Sequence, residues 1–294
     1  MKKFVRIILL VSLQVCFSYA GRPHFHSVFD ALGIKVENTV EAMNQYAQDN
    51  FLRKPGEERW QMAQSQYEKK RHKLIPALKG LWLYQKVAPR VGAKYDYAVV
   101  LGATVPSMRK RLYFLQEAFE KYNITFGSVV FLVGQRPLSP DVESKDILFC
   151  AKDGLIRKDW VKSSELEVET ETDGAKLAWD QVISNSKLKK IPVIFVDTPM
   201  LADGKRPTTG DTVKAWMSLG VKPGTMIAVS SNPHVPYQEM VLRNLLEEYD
   251  WFKRGGKLKT VGPSTDKASQ VGEMLDAFAR YLFEYKKHTL IVKK

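Results

Sequence analysis

From residue 95 onward, short apolar runs alternate with stretches whose apolar residues recur every three or four positions. That is the pattern of strands covered by helices on both faces. The runs fall at residues 97–103, 129–133, 191–196 and 226–229, with an edge strand at 257–261. Between them, Met108, Leu112, Leu115 and Phe119 mark one helical face, and Leu177, Ala178, Gln181 and Val182 another. Thr172 or Asp173 is the expected cap of that second helix. Val213, Trp216 and Met217 mark a third helix, and a fourth is expected over about 236–249. Val271, Leu275, Phe278 and Leu282 give a closing helix over about 269–285. Residues 139–165 are charged and irregular, an insertion with a short helix near 147–151. The fold class is therefore α/β, a three-layer Rossmann-like arrangement on a mostly parallel sheet, spanning residues 93–294.

Residues 21–92 show helical spacing without strand alternation and read as a helical extension packed on the main domain. Val36, Val40, Met43 and Ala47 form a stripe that Asn38 or Thr39 caps. Lys54-Pro55-Gly56 breaks it. A second helix is expected from Glu57 through Trp60, Gln64, Tyr67 and Arg71, with Pro76 interrupting the pattern. Leu78, Leu81, Trp82 and Tyr84 supply a bulky apolar patch, read as core packing, with a membrane-surface role as the alternative. Residues 1–20 read as a secretory signal peptide. Lys2, Lys3 and Arg6 precede an apolar run, and Ser18-Tyr19-Ala20 is a small-x-small cleavage site. The expected protein is exported, periplasmic or secreted; an uncleaved amino-terminal membrane anchor is the alternative.

With 294 residues, 45% of them hydrophobic, the chain can bury a sizeable core. Its formal charge of +13 falls to +10 without the three cations of residues 1–20. The remaining Lys and Arg are spread along the chain with no polybasic arm, which argues against a nucleic-acid footprint. Of the two cysteines, Cys16 lies in the signal. Cys150 then reads as a small buried residue beside Ile147, Leu148 and Phe149 rather than a nucleophile.

The candidate chemistry gathers where strands end, which is where open α/β sheets bind ligands. Gly102 ends the first strand, and Gly134-Gln135-Arg136 follows the second. Residues 226–229 run into Ser230, Ser231 and Asn232, and His234 stands between Pro233 and Pro236. Arg109, Arg111 and Arg136 offer paired N–H donors to a phosphate or carboxylate. Thr208, Thr209 and Thr212 place hydroxyls around a helix start, with Asp211 among them. Glu171 is read as positioning a hydroxyl or water, and His234 as exchanging a proton near neutral pH. Each has a plainer role available. Thr209 and Asp211 can cap a helix, and Arg109 can pair with Glu117 or face solvent. Glu171 can sit on a charged loop, and His234 can belong to a structural turn. No Gly-x-Gly-x-x-Gly, phosphate loop or Gly-x-Ser-x-Gly elbow is present, nor a zinc-ligand spacing. No metal and no cofactor is expected.

The order of these segments resembles the bacterial YdcF/SanA/ElyC-like family. The corresponding residues are Val100-Leu101-Gly102, Arg109-Lys110-Arg111-Leu112, Val133-Gly134-Gln135, Glu171, Thr208-Thr209-Gly210-Asp211-Thr212, and Val229-Ser230-Ser231 with His234-Val235-Pro236. The likeness covers residues 95 to 250. Gln135-Arg136 replaces the second glycine of the family's turn, Asp211 its asparagine and Tyr237 the arginine after His-x-Pro. The resemblance implies a Rossmann-like domain of unknown function with a role in envelope homeostasis.

The first functional reading is an exported envelope protein that binds, and where there is chemistry acts on, an anionic or phosphorylated small molecule. Transfer or hydrolysis at a phosphate or acyl bond, with His234 as acid–base, is the reaction that these residues suit. The alternatives are a non-catalytic ligand-binding module and a basic protein that docks on a membrane or partner through residues 21–92.

Overall fold

In a computed structural model that describes residues 23–150, 154–163 and 167–292, parallel strands lie in the order β3-β2-β1-β4-β5. They are β1 Lys94–Leu101, β2 Thr125–Gly134, β3 Val193–Thr198, β4 Thr225–Val229 and β5 Lys257–Val261. The strand order reverses at β1, so a crevice opens between the carboxyl ends of β1 and β4.

The period of two along each strand sorts the core. Val99, Leu101, Val130, Leu132, Met226 and Ala228 face one way, onto α8 (Thr209–Met217) and α9 (Val235–Glu247). Ala98, Val100, Val129, Phe131, Ile227 and Val229 face the other, onto α4 (Val105–Lys121) and α6 (Glu171–Val182). Both faces are sealed, as a three-layer Rossmann-like sheet requires. Short helices α5 (Lys145–Phe149) and α7 (Ser186–Lys189) lie in the connections.

The amino-terminal helices α1 (His26–Leu32), α2 (Val40–Asn50) and α3 (Arg71–Gly80) share a separate core with α10 (Val271–Ile291). Phe25, Phe29 and Phe51 meet Phe278 there, while Leu74 and Leu78 are fully enclosed. Each such side chain contributes about 1.5–3 kcal/mol by leaving water. The Leu78–Leu81 patch is thus core. Two backbone hydrogen bonds between Val87 and Gly262 tie the extension to the sheet side.

Several local expectations change. No continuous helix runs from Glu57 to Arg71. A Glu58–Gln61 capping box closes a single 3₁₀ turn at Arg59–Gln61, and a second turn at Glu68–Lys70 leads into α3. Pro76 does not interrupt α3 but sits inside it, with Leu74 and Leu78 anchoring the helix on either side. The cap of α6 is Thr170, whose hydroxyl accepts from the Asp173 N–H while the Asp173 side chain returns the bond. Cys150 is exposed, because α5 stops at Phe149 and turns Leu148 alone into the core. The signal read at residues 1–20 lies outside the described residues. Among the described residues no helix is long and apolar enough to cross a membrane.

Candidate functional site

A cleft of about 1290 Å³ opens above the carboxyl ends of β1 and β4. Gly102, Arg111, Arg136, Glu171, Thr208 and Thr209 all line it, joined by Ser231, Asn232 and His234. These residues come from four connections that are distant in sequence and adjacent only because the sheet order brings them together.

Arg111 forms its floor. It projects from the second turn of α4 back under the end of β1, and is 4% exposed. One terminal nitrogen donates to the carbonyls of Leu101 and Gly102; the other lies 3.5 Å from the Ser231 hydroxyl at the end of β4. Its Nε is buried with no hydrogen-bond partner among the described residues. Burial and the charge of Arg59 bring the Arg111 guanidinium down to about 10, against the pull of Glu171.

Glu171 opens α6 and turns its carboxylate onto Gly102. A Cβ at Gly102 would lie 2.7 Å from Glu171 Oε1 and 2.8 Å from the Leu132 carbonyl, so only glycine leaves room for this approach. Burial, with Glu143, pushes the Glu171 carboxyl up to about 7; Arg136, Arg111 and Arg206 pull the other way.

His234 is the N-cap residue of α9 and is 5% exposed. Its Nε2 lies 3.7 Å from Glu273 Oε1, and its Nδ1 has no partner among the described residues. Burial and the nearby Arg59 and Arg111 charges depress its pKa to about 4, outweighing Glu273. The imidazole is therefore neutral at physiological pH, which makes it an acceptor or a weak base rather than a cation. Asn232 donates to the Gln85 carbonyl while its Oδ1 stays buried without a partner among the described residues.

Most of the other predicted residues sit outside the cleft or are held by protein contacts. Arg109 is 1% exposed and faces away from the cleft, where it neither pairs with Glu117 nor meets solvent. It donates to Gln181 Oε1 and to the Ile147 and Leu148 carbonyls, bolting α5 and α6 to α4. The helical period of 3.6 explains the split, since a step of two residues turns a side chain by more than half a circle. Gln135 is exposed and donates to Asp197, which also accepts from Thr172. Gly134 lets Pro207 pack on the end of β2, for a Cβ there would lie 2.5 Å from Pro207 Cγ. Asp211 serves as the partner of Thr208 in the α8 capping box, and the Thr212 hydroxyl returns to the Thr209 carbonyl. Ser230 is fully buried beneath the cleft, its Oγ without a partner among the described residues. Arg136 lines the cleft but is held by Glu143 through bonds of 3.0 and 3.2 Å.

Arg59 and Glu273 also line the site and were missed. Arg59 comes from the extension, and its Nε is buried without a partner among the described residues. Burial and the Arg53 charge lower its pKa, opposed by Asp276 and Glu273. Beside it, Glu58 bonds across the cleft mouth to Arg206 at 3.1 Å. The one local signal for Arg59 was the Glu57-Glu58-Arg59-Trp60-Gln61 string after a Pro-Gly break; α10 carried no such mark at Glu273. Comparisons with models of known families, with curated proteins and with solved structures found no match to this chain.

Proposed function

We propose that the cleft binds an anionic, phosphorylated small molecule. The supporting observation is that two guanidinium groups, Arg59 and Arg111, face one cleft with buried Nε atoms that no described residue accepts from. A buried cation without a paired carboxylate is costly, and an anionic ligand removes that cost. The open amino-terminal end of α9, with His234 as its cap, adds a favourable dipole end. The neutral His234 and the high-pKa Glu171 form a pair whose environments push their protonation apart, which suits proton transfer at a phosphate or acyl bond.

The order of motifs supports membership of the YdcF/SanA/ElyC-like group, and the basic, apolar start of the sequence supports export to the cell envelope. A thermal-shift screen with nucleotides, sugar phosphates and polyprenyl phosphates tests the binding reading. At least one compound is expected to stabilise the wild type and to lose that effect in Arg111→Ala. Stabilisation by none, or equal stabilisation of both proteins, contradicts it. Turnover of a stabilising compound that disappears in His234→Ala separates an enzyme from a binding module.

A further inference from the structure

We infer that the ligand's recognised group is a doubly charged terminal phosphate, a phosphomonoester, and that Glu171 binds it as a carboxylic acid that donates a hydrogen bond. This rests on the anion-binding reading above and names the ligand class for the same cleft.

Charge pairing around the cleft carries the argument. Arg136 is matched by Glu143, Arg206 by Glu58, Lys110 by Asp266 and Arg280 by Asp276, each within ion-pair distance. Among the described residues Arg59 and Arg111 have no carboxylate at ion-pair distance, as is also true of Arg53 and Lys267 at the rim; burial lowers the pKa of both Arg59 and Arg111, with Asp276 and Glu273 acting against it on Arg59 and Glu171 on Arg111. Two adjacent cations call for more than one negative charge. A carboxylate or a phosphodiester brings one, whereas a phosphomonoester brings two. The planar N–H edges of guanidinium groups also fit phosphate oxygens in pairs.

Glu171 is the obstacle to such a ligand, and its placement also supplies the remedy. Its carboxylate lies against Gly102, whose carbonyl accepts from Arg111, so the carboxyl and the guanidinium share one floor. The groups facing it are Arg136 and Glu143 from the β2 connection, Arg111 from α4 and Arg206 from the β3–α8 connection. A second anion arriving there repels the ionised carboxylate and favours its protonated form. Protonated, Glu171 becomes an O–H donor aimed at the ligand instead of a competitor for the arginines. The cleft greatly exceeds one phosphate, and Tyr113 and Pro106 on its wall offer apolar surface to the organic substituent.

Isothermal titration of the full chain with phenyl phosphate and with methyl phenyl phosphate tests this. The two share a ring but differ by one charge. At pH 7.5 phenyl phosphate is expected to bind at least about tenfold more tightly. Repeating the titration in buffers of different ionisation enthalpy should reveal uptake of most of a proton with phenyl phosphate. Glu171→Gln, an isosteric change, should still bind it but take up no proton. Equal affinity for the two probes, or the same proton uptake in Glu171→Gln, overturns the inference while leaving anion binding in place. Absence of binding by either probe overturns both. The comparison of the two probes uses the wild type alone, so it stands even if Glu171→Gln folds poorly.

Discussion

The carboxyl rim of the sheet has two halves built from the same kinds of residue, and they use their polar groups in opposite ways. Over β2 and β3, most of the groups on offer are taken up inside the protein, with Glu171, which faces the cleft, and the buried Thr198 hydroxyl as exceptions. Gln135 and Thr172 share Asp197, Thr208 and Asp211 cap α8, and Glu143 holds Arg136 and the Val105 and Ser139 N–H groups. Over β1 and β4, the Arg111 Nε, Asn232 Oδ1, His234 Nδ1 and Ser230 Oγ are all buried without partners among the described residues. Buried polar groups are nearly always satisfied, so the second half is where a ligand is missing from the accounting, and the first half, Glu171 apart, is mainly scaffold. Residue type does not separate a binding site from its support; unfilled hydrogen-bonding capacity does.

The sharpest way to break this contrast is to damage the scaffold half and watch binding. Glu143→Ala strands Arg136 and two backbone N–H groups. It should cost about 3–5 kcal/mol in denaturant unfolding, yet leave the affinity for phenyl phosphate undiminished. A stable variant that no longer binds would mean that Arg136 and Glu143 belong to the ligand site rather than to its support.

The converse cut is Arg111→Ala, expected to weaken phosphate binding by about 2–4 kcal/mol in titration calorimetry. Arg109→Ala, on the same helix, should lose stability but keep its affinity within about twofold. Equal effects on binding would erase the distinction between the two arginines. Gly102→Ala drives a methyl group into Glu171 and the Leu132 carbonyl and should destabilise the fold by about 1–3 kcal/mol in thermal unfolding.

The smallest effect is in the pH dependence. Glu171, raised from 4.5 to about 7, favours folding at low pH and loses that contribution as pH rises from 4.5 to 7. His234, lowered from 6.5 to about 4, does the reverse: its neutral form supports folding above 6.5, and that support is lost as pH falls toward 4. The two slopes, each at most about 1.4 kcal/mol per pH unit, oppose one another between pH 4.5 and 6.5. Glu171→Gln should therefore unmask a stability that rises with pH across that window, and His234→Gln one that falls. Parallel curves for the wild type and both variants would show that neither group is desolvated.

Much of this arrangement was legible in the residues. Strand positions followed from apolar runs flanked by glycine or polar turns, since parallel strands buried on both faces leave little else in the sequence. The convergence of Arg111, Glu171, Thr209 and His234 followed from placing each at a strand's carboxyl end. What stayed hidden needed tertiary information. Arg109 and Arg111 differ only in which way α4 faces. Arg59 enters the cleft because the extension packs on α10, the last helix, and no local pattern encodes that pairing. The Glu57–Arg71 stretch read as a helix because its polar and aromatic residues suit one; two 3₁₀ turns there keep Arg59 inside the cleft and Glu58 at its mouth.

The central claim is that the β1–β4 half of the rim holds an anion. A crystal containing tungstate, a phosphate-shaped dianion with strong anomalous scattering, tests it most directly. The account predicts an anomalous peak whose oxygens lie about 3 Å from the Arg59 and Arg111 nitrogens. A crystal with no peak in the cleft, or with its peak seated on Arg136 over β2, would contradict it.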